Sequence, residues 1–215
     1  KILFSLQQNS AMKKKHLLLD LGQVLLPLSE EKCILAFSEI TANEELLHQK
    51  NLFESIERGE LTPAEFRAEV QKHLWRKVYP GEIDAAWNAL VLEMDPEVTR
   101  WLKRMKKFYQ IHLVSNINTI HHKYIVESMG PFNYKQFIDC FTHLFLSYEM
   151  GTRKPESEFF THVLDTLGCE PGECLFVDDR EDNLQAAQAM GIEGIPFTLE
   201  EGSILDLDKA LSALH

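Results

Sequence analysis

The 215-residue sequence predicts an α/β fold: a Rossmann-like parallel sheet with helices on both faces, plus a helical section inserted near its start. Three observations predict it. Two short apolar runs, His16–Leu19 and Cys174–Val177, each end in a carboxylate. A strand buried on both faces needs a continuous apolar run of this kind. Beyond about residue 95, such runs alternate with helix-patterned segments, as in successive βαβ units. Between Ser29 and Met94 nothing reads as a strand, and apolar residues recur at three-to-four spacing among many Glu residues.

The elements follow in order. Lys13–Lys15 and the apolar stretch after them resemble a signal peptide, but Asp20 interrupts the run and no small-residue cleavage site follows. Met12 then reads as a natural start and residues 1–14 as an N-terminal extension. His16–Leu19 is a central buried strand with Asp20 at its C-terminal end. In the helical section, Ile34, Leu35 and Phe37, then Leu46, Leu47 and Phe53, mark apolar faces. Thr62 as N-cap, Pro63 at the first helical position and Glu65 closing a capping box start a helix faced by Phe66, Val70 and Leu74. Ile83, Trp87, Leu90 and Val91 mark another. Trp75, Trp87 and Trp101 read as core or interface.

Asp95 and Pro96 start a helix whose basic end, KRMKK, suits a helix C-terminus. A strand to Val114 leads to Ser115 and Asn116. A helix runs from Asn118 to near Gly130, with His121 and His122 read as surface residues. FTHLFLS is a strand, MGTRKP a loop holding Lys154, and Glu156 to Leu167 a helix stopped by Gly168. The Cys174 strand ends in Asp178 and Asp179. Ile195 to Thr198 is a last strand and Ile204 to Leu214 a last helix. The boundaries are thus 15–28 and 95–215 for the α/β core and 29–94 for the helical insert.

Composition narrows the partners. The net charge of -11 leaves no long basic face for nucleic acid or an anionic membrane, though a small phosphorylated metabolite needs only a local positive pocket. Cys33, Cys140, Cys169 and Cys174 are scattered without a CxxC pair, which disfavours a zinc site or a disulfide framework. Reduced thiols fit a cytoplasmic protein. No stretch is long enough to span a bilayer. Monomer and homodimer both stay open.

Strand tips of a parallel sheet share one edge, so Asp20, Ser115 with Asn116, Lys154, and Asp178 with Asp179 are expected to converge there. Adjacent carboxylates repel and hard oxygens suit Mg²⁺; the alternative is that they cap the next helix. The set points to phosphoryl transfer. Asp20 would be a carboxylate nucleophile. A divalent metal between Asp20 and Asp178 would neutralise the approaching anions. Ser115 and Asn116 would bind the phosphoryl oxygens, and Lys154 would balance their charge. Ser115 and Asn116 could equally cap a helix, Asp179 could hold Lys154, and Arg153 and Asn183 read as supporting residues.

Taken together and in order, LLLDLGQVL, LVSN, RKP and FVDDREDN resemble the motifs of the haloacid dehalogenase-like (HAD) hydrolase superfamily, from about Lys15 to the C-terminus. DLGQV, LVSNIN with a following His, and SYEMGTRKPESEFF are similar to a subgroup of bacterial sugar-phosphate phosphatases, such as those acting on glucose-1-phosphate. The resemblance implies a HAD-like core with a helical cap at 29–94. It also implies an aspartyl-phosphate intermediate on Asp20 and Mg²⁺ held by Asp20, the Gly22 backbone carbonyl, Asp178 and Asp179. One departure stands out: most phosphatases of the family carry an Asp two residues after the nucleophile, as acid and base, where this chain has Gly22. A cap residue, His121 or water would have to replace it. Two other readings follow, a metal-independent haloacid dehalogenase and a catalytically weak binding module.

Overall fold

A computed structural model of the chain describes residues 14–41, 46 and 49–212. The expectations for residues 1–13, for Leu47 and for the last turn of the final helix lie outside these. The strands are β1 (His16–Leu19), β2 (Gln110–Ser115), β3 (His143–Leu146), β4 (Cys174–Asp178) and β5 (Glu193–Pro196). Helices α1 (Glu30–Ser38), α2 (Lys50–Glu57), α3 (Pro63–Lys72), α4 (Pro80–Asn88) and α5 (Pro96–Met105) lie between β1 and β2. They are followed by α6 (Thr119–Ile138), α7 (Ser147–Met150), α8 (Ser157–Leu167), α9 (Glu181–Ala189) and α10 (Ile204–Ser212).

The five strands form one parallel sheet in the order β3-β2-β1-β4-β5. In the centre, Leu17 stands opposite Ile111 on one side and Leu175 on the other. Strand alternation sends Leu17, Leu19, Leu113 and Val177 to one face, where α5, α6 and α10 cover them with Trp101, Leu102, Phe137 and Leu207. Leu18, Val114, Phe145 and Phe176 meet Phe159, Phe160 and Val163 of α8 and Leu184 of α9 on the other. Each large side chain buried this way is worth about 1.5–3 kcal/mol, which is why the strands read as unbroken apolar runs.

Toward the strand N-termini, the imidazoles of His16, His112 and His143 stack in a row across three strands. Their ring nitrogens lie 3.1 and 3.3 Å apart in turn. Burial pushes His112, the middle ring, down to about 3, with His16 and His143 adding to the effect, so this ring is neutral at pH 7.

The helices α1 to α4 build a separate apolar cluster around Phe37, Ile56, Phe66, Val70, Ile83 and Trp87, joined by Ile120 at the start of α6. Thr62, Pro63 and Glu65 form the expected capping box. Chain entry and exit run side by side: Ser29 N–H donates to Leu90 O, Leu92 N–H donates to Pro27 O, and Leu28 bridges Val91 in antiparallel sense. Leu90 and Val91 therefore lie past the end of α4, not on it as their spacing predicts.

Three further differences have local causes. The last strand is Glu193–Pro196, earlier than expected, because pairing with β4 selects the register and the apolar run alone does not. The helix after Asn118 breaks at Gly130 as expected, at φ 73 and ψ 152, but Pro131 then starts a further helical stretch to Ile138 that the sequence did not announce. Trp75 is exposed, unlike Trp87 and Trp101. Among the described residues no helix is long and apolar enough to cross a membrane.

Gly59 ends α2 at φ +70, and a Cβ there would lie 2.3 Å from Tyr148 O. Gly59→Ala should therefore cost about 1–3 kcal/mol in urea denaturation through its left-handed backbone alone, with the Tyr148 contact adding to that. An unchanged midpoint would show that this turn does not press on the core.

Candidate active site

The expected convergence occurs at the C-terminal edge of the sheet. Asp20 follows β1 and its N–H donates to Val177 O at 3.0 Å, fixing it beside the tip of β4. Asp178 is the last residue of β4 and fully buried. The Lys154 ammonium stands between the two carboxylates, 2.8 Å from Asp20 Oδ1 and 2.6 Å from Asp178 Oδ2. Its stem packs near the Phe176 ring, with Nζ 5.3 Å from the centroid. Carboxylate oxygens of Asp20, Asp178 and Asp179 all lie within 4.8 Å of one another.

The electrostatics follow from burial. Desolvation pushes the Asp20 carboxyl up to about 7, against the pull of Lys154 and with the push of Asp178 and Asp179. Asp179 is also raised, first by burial and then by Asp178. Burial alone would lower Lys154, but Asp178 and Asp20 outweigh it and hold the ammonium above its usual value. One cation against three carboxylates leaves the pocket short of positive charge.

The two acids at β4 divide their work. Asp178 Oδ2 takes Lys154, while Oδ1 accepts from Arg180 N–H and Asn183 Nδ2, both at 2.9 Å. Asp179 is exposed as a residue, yet one of its carboxylate oxygens stays within 4.8 Å of those of Asp20 and Asp178. Asn183 thus has the supporting position its spacing suggested. Asn116, expected among the phosphate-binding groups, has a different side-chain task. Its Nδ2 donates to Lys154 O at 2.8 Å and its Oδ1 accepts from Lys154 N–H at 2.9 Å. The amide clamps the lysine's backbone and leaves only main-chain groups to face a ligand. Ser115 is buried at the end of β2, opposite Leu146. Gly22 pairs with Leu26 through Leu21 O and Gln23 N–H, which leaves its own carbonyl outside the bridge.

Further residues, some of them not singled out from the sequence, hold this edge together. Ser147 Oγ accepts from Ile117 N–H at 2.9 Å and donates to Ile117 O at 3.0 Å, tying β3 to the loop after β2. Asn118 caps α6 through Oδ1 and donates from Nδ2 to His121 Nδ1 at 3.1 Å. His121 Nε2 then donates to Trp87 O at 3.1 Å, and its ring stacks on the Trp87 ring. His121 is buried and His122 half-buried, with both His122 nitrogens on Tyr148 and Tyr134 hydroxyls. Neither is the surface residue expected, because α4 and the 134–148 region cover that face of α6. Arg153 reaches the insert, bonding Glu57 at 2.9 Å and Glu54 at 3.1 Å, while Arg58 bonds Glu156.

A family model described as haloacid dehalogenase-like hydrolase matches residues 17–191. The chain belongs to that family. It is 27% identical over 194 residues to the D-ribitol-5-phosphate phosphatase of Bacteroides thetaiotaomicron, covering 88% of this chain and 93% of the relative. Among solved structures, a HAD family enzyme of Bacteroides thetaiotaomicron in complex with magnesium and inorganic phosphate superposes with a TM-score of 0.79 at 37% identity, over 85% of this chain and 93% of the other. A HAD-like hydrolase from Porphyromonas gingivalis gives 0.80 at 26% identity, over 92% and 98%. The parallel core and the helices inserted between its first two strands are thus the fold of this hydrolase family.

Two outcomes follow from the geometry. Lys154→Met leaves Asp20 and Asp178 buried without a cation, and unfolding in urea with EDTA should show a loss of about 3–5 kcal/mol; a loss below about 1 kcal/mol would mean the triad is not what holds these acids. The second concerns His121, which burial pushes down to about 4 against the raising effect of its bond to Trp87 O. The unfolded state takes up that proton first, near 6.5. Stability is therefore full above pH 6.5 and falls as pH drops toward 4, by about 3 kcal/mol for this one group. His121→Gln should remove that part of the slope, read from urea midpoints at pH 7 and pH 4.5.

Proposed function

We propose that the protein is a Mg²⁺-dependent phosphatase of small phosphomonoesters, sugar phosphates or similar, working through an aspartyl phosphate on Asp20. The observation that carries this reading is the Asp20–Lys154–Asp178 triad with Asp179 within reach of the same point. Three clustered carboxylates and one ammonium have an excess of negative charge that a hard divalent cation would balance. The magnesium- and phosphate-bound relative and the phosphatase relative support the same chemistry. The donor set fits Mg²⁺: Asp20, the free carbonyl of Gly22 and Asp179 as direct oxygen ligands. Asp178 joins them with whatever capacity Lys154, Arg180 and Asn183 leave it. Bound there, the cation would neutralise the meeting of a carboxylate with a phosphoryl group.

Each residue then has a task. Asp20 is the nucleophile, ionised once a cation offsets the burial that raises it. Lys154 bridges it to Asp178 and lowers the charge on incoming phosphoryl oxygens. Ser115 offers its hydroxyl and residue 116 its main-chain N–H to the same oxygens. Residues 29–94 act as a cap, hinged at the Leu28–Val91 pair and clasped to the loop beside Lys154 by Arg153 with Glu54 and Glu57. Closing it excludes water and strengthens every charge interaction inside. A dehalogenase would have no use for the carboxylate cluster.

Turnover of 4-nitrophenyl phosphate should require Mg²⁺, stop in EDTA and fall at least about 10³-fold in Asp20→Asn, as expected for loss of a nucleophile. Equal turnover by both proteins would end this reading.

A further inference from the structure

If Asp20 attacks phosphorus, the oxygen that leaves must carry away an electron pair, and something must supply its proton. The position that could have held an acid is Gly22. A Cβ at this residue would lie 2.8 Å from Leu28 Cδ1 and 3.6 Å from Leu28 Cγ. The direction a side chain from residue 22 would take is filled by leucine. The Leu28 backbone is held there: its N–H donates to Gln23 Oε1 at 3.3 Å, its carbonyl accepts from Gln23 Nε2 at 3.2 Å, and it bridges Val91.

Among the described residues, several other proton-bearing groups of this region are engaged elsewhere. His121 holds Asn118 and Trp87 O through its two nitrogens, and His122 holds two tyrosine hydroxyls. Glu57 accepts from Arg153, and Glu200 accepts from Gln23 Nε2 at 2.8 Å. Lys154 is bound by two carboxylates.

We propose that this site works without a general acid, so that its substrates are phosphates of weakly basic oxygens (phenols, anomeric hydroxyls, enols or carboxylic acids) and not phosphates of ordinary alcohols. The missing side chain at Gly22 sets this preference, and Leu28 Cδ1 stands in the space that one would enter. The inference rests on the phosphatase reading above. An Asp20 carboxylate oxygen forms a bond to phosphorus while the P–OR bond breaks, and RO⁻ leaves with both electrons and takes its proton from water. A second water then attacks the phosphorus of the aspartyl phosphate, returning the carboxylate, inorganic phosphate and a proton. Overall one ester and one water give one alcohol and one phosphate. The first step is fast only when RO⁻ is stable unprotonated, because positioned acid catalysis is typically worth about 10²- to 10⁴-fold.

Phenyl phosphate and benzyl phosphate are close in size and differ in the basicity of the leaving oxygen. With Mg²⁺, kcat/KM of the unaltered protein should favour phenyl phosphate by about 10²- to 10⁴-fold, the span a missing acid leaves open. Across ring-substituted phenyl phosphates it should rise steeply as the phenol becomes more acidic. Gly22→Asp combined with Leu28→Ala, which clears the space, should narrow the phenyl-to-benzyl ratio at least tenfold. Rates within threefold of each other for the two esters in the unaltered protein, with Asp20→Asn inactive on both, would overturn the proposal and leave the phosphatase reading standing. Turnover that survives in Asp20→Asn would remove both. The substituent series needs no variant, so it decides the matter even if the double substitution does not fold.

Discussion

The ammonium of Lys154 sits between two buried carboxylates, and much of the surrounding sheet edge is arranged to keep it there. Burying one charge is costly, and removing one partner of a buried pair is costlier still. The structure meets that cost with direct contacts at 2.8 and 2.6 Å and with a second layer. Asn116 grips the lysine's backbone at both N–H and C=O. Asn183 and the Arg180 N–H fill the other oxygen of Asp178. The triad thereby joins the loop after β3 to the tips of β1 and β4, three pieces that are far apart along the chain.

The same loop also anchors the helical insert. Arg153 is next to Lys154 and bonds Glu54 and Glu57 on α2, while Glu156 bonds Arg58 from the other direction. On the far side, His121 carries a hydrogen bond from the core helix α6 to Trp87 O near the end of α4. These two attachments and the backbone bridge between Leu28 and Val91 set where the insert lies over the sheet edge. Arg153 and Lys154 are adjacent, so a displacement of α2 would act on the backbone of the residue that lies between the two buried carboxylates.

The strand tips were legible because each combines a local apolar run with a polar end, and both signals lie within ten residues. Asp20, Lys154 and Asp178 meet as the shared edge of a parallel sheet requires. The capping box at Thr62 and Glu65 was equally local. What stayed hidden was which partner each polar atom takes. Asn116 has the residue type and place of a phosphate ligand, yet its side chain clamps Lys154. His121 and His122 look like surface helix residues until α4 and the Tyr134 and Tyr148 hydroxyls cover them. Leu28 gives no sign in the sequence that it stands where a side chain from Gly22 would go.

By itself, then, the amino-acid order determined the α/β architecture, the helical insert and the set of charged groups at the sheet edge. Apolar periodicity and capping act over a few residues and need no long-range contact to be read. Only the tertiary structure decided how those groups share their hydrogen bonds, which acid is buried and which exposed, and what occupies the space beside Gly22. Those outcomes depend on side chains about 6 to 160 residues apart competing for the same few ångströms, from Leu28 and Gly22 to Asp178 and Asp20. Such competition is settled by packing in three dimensions.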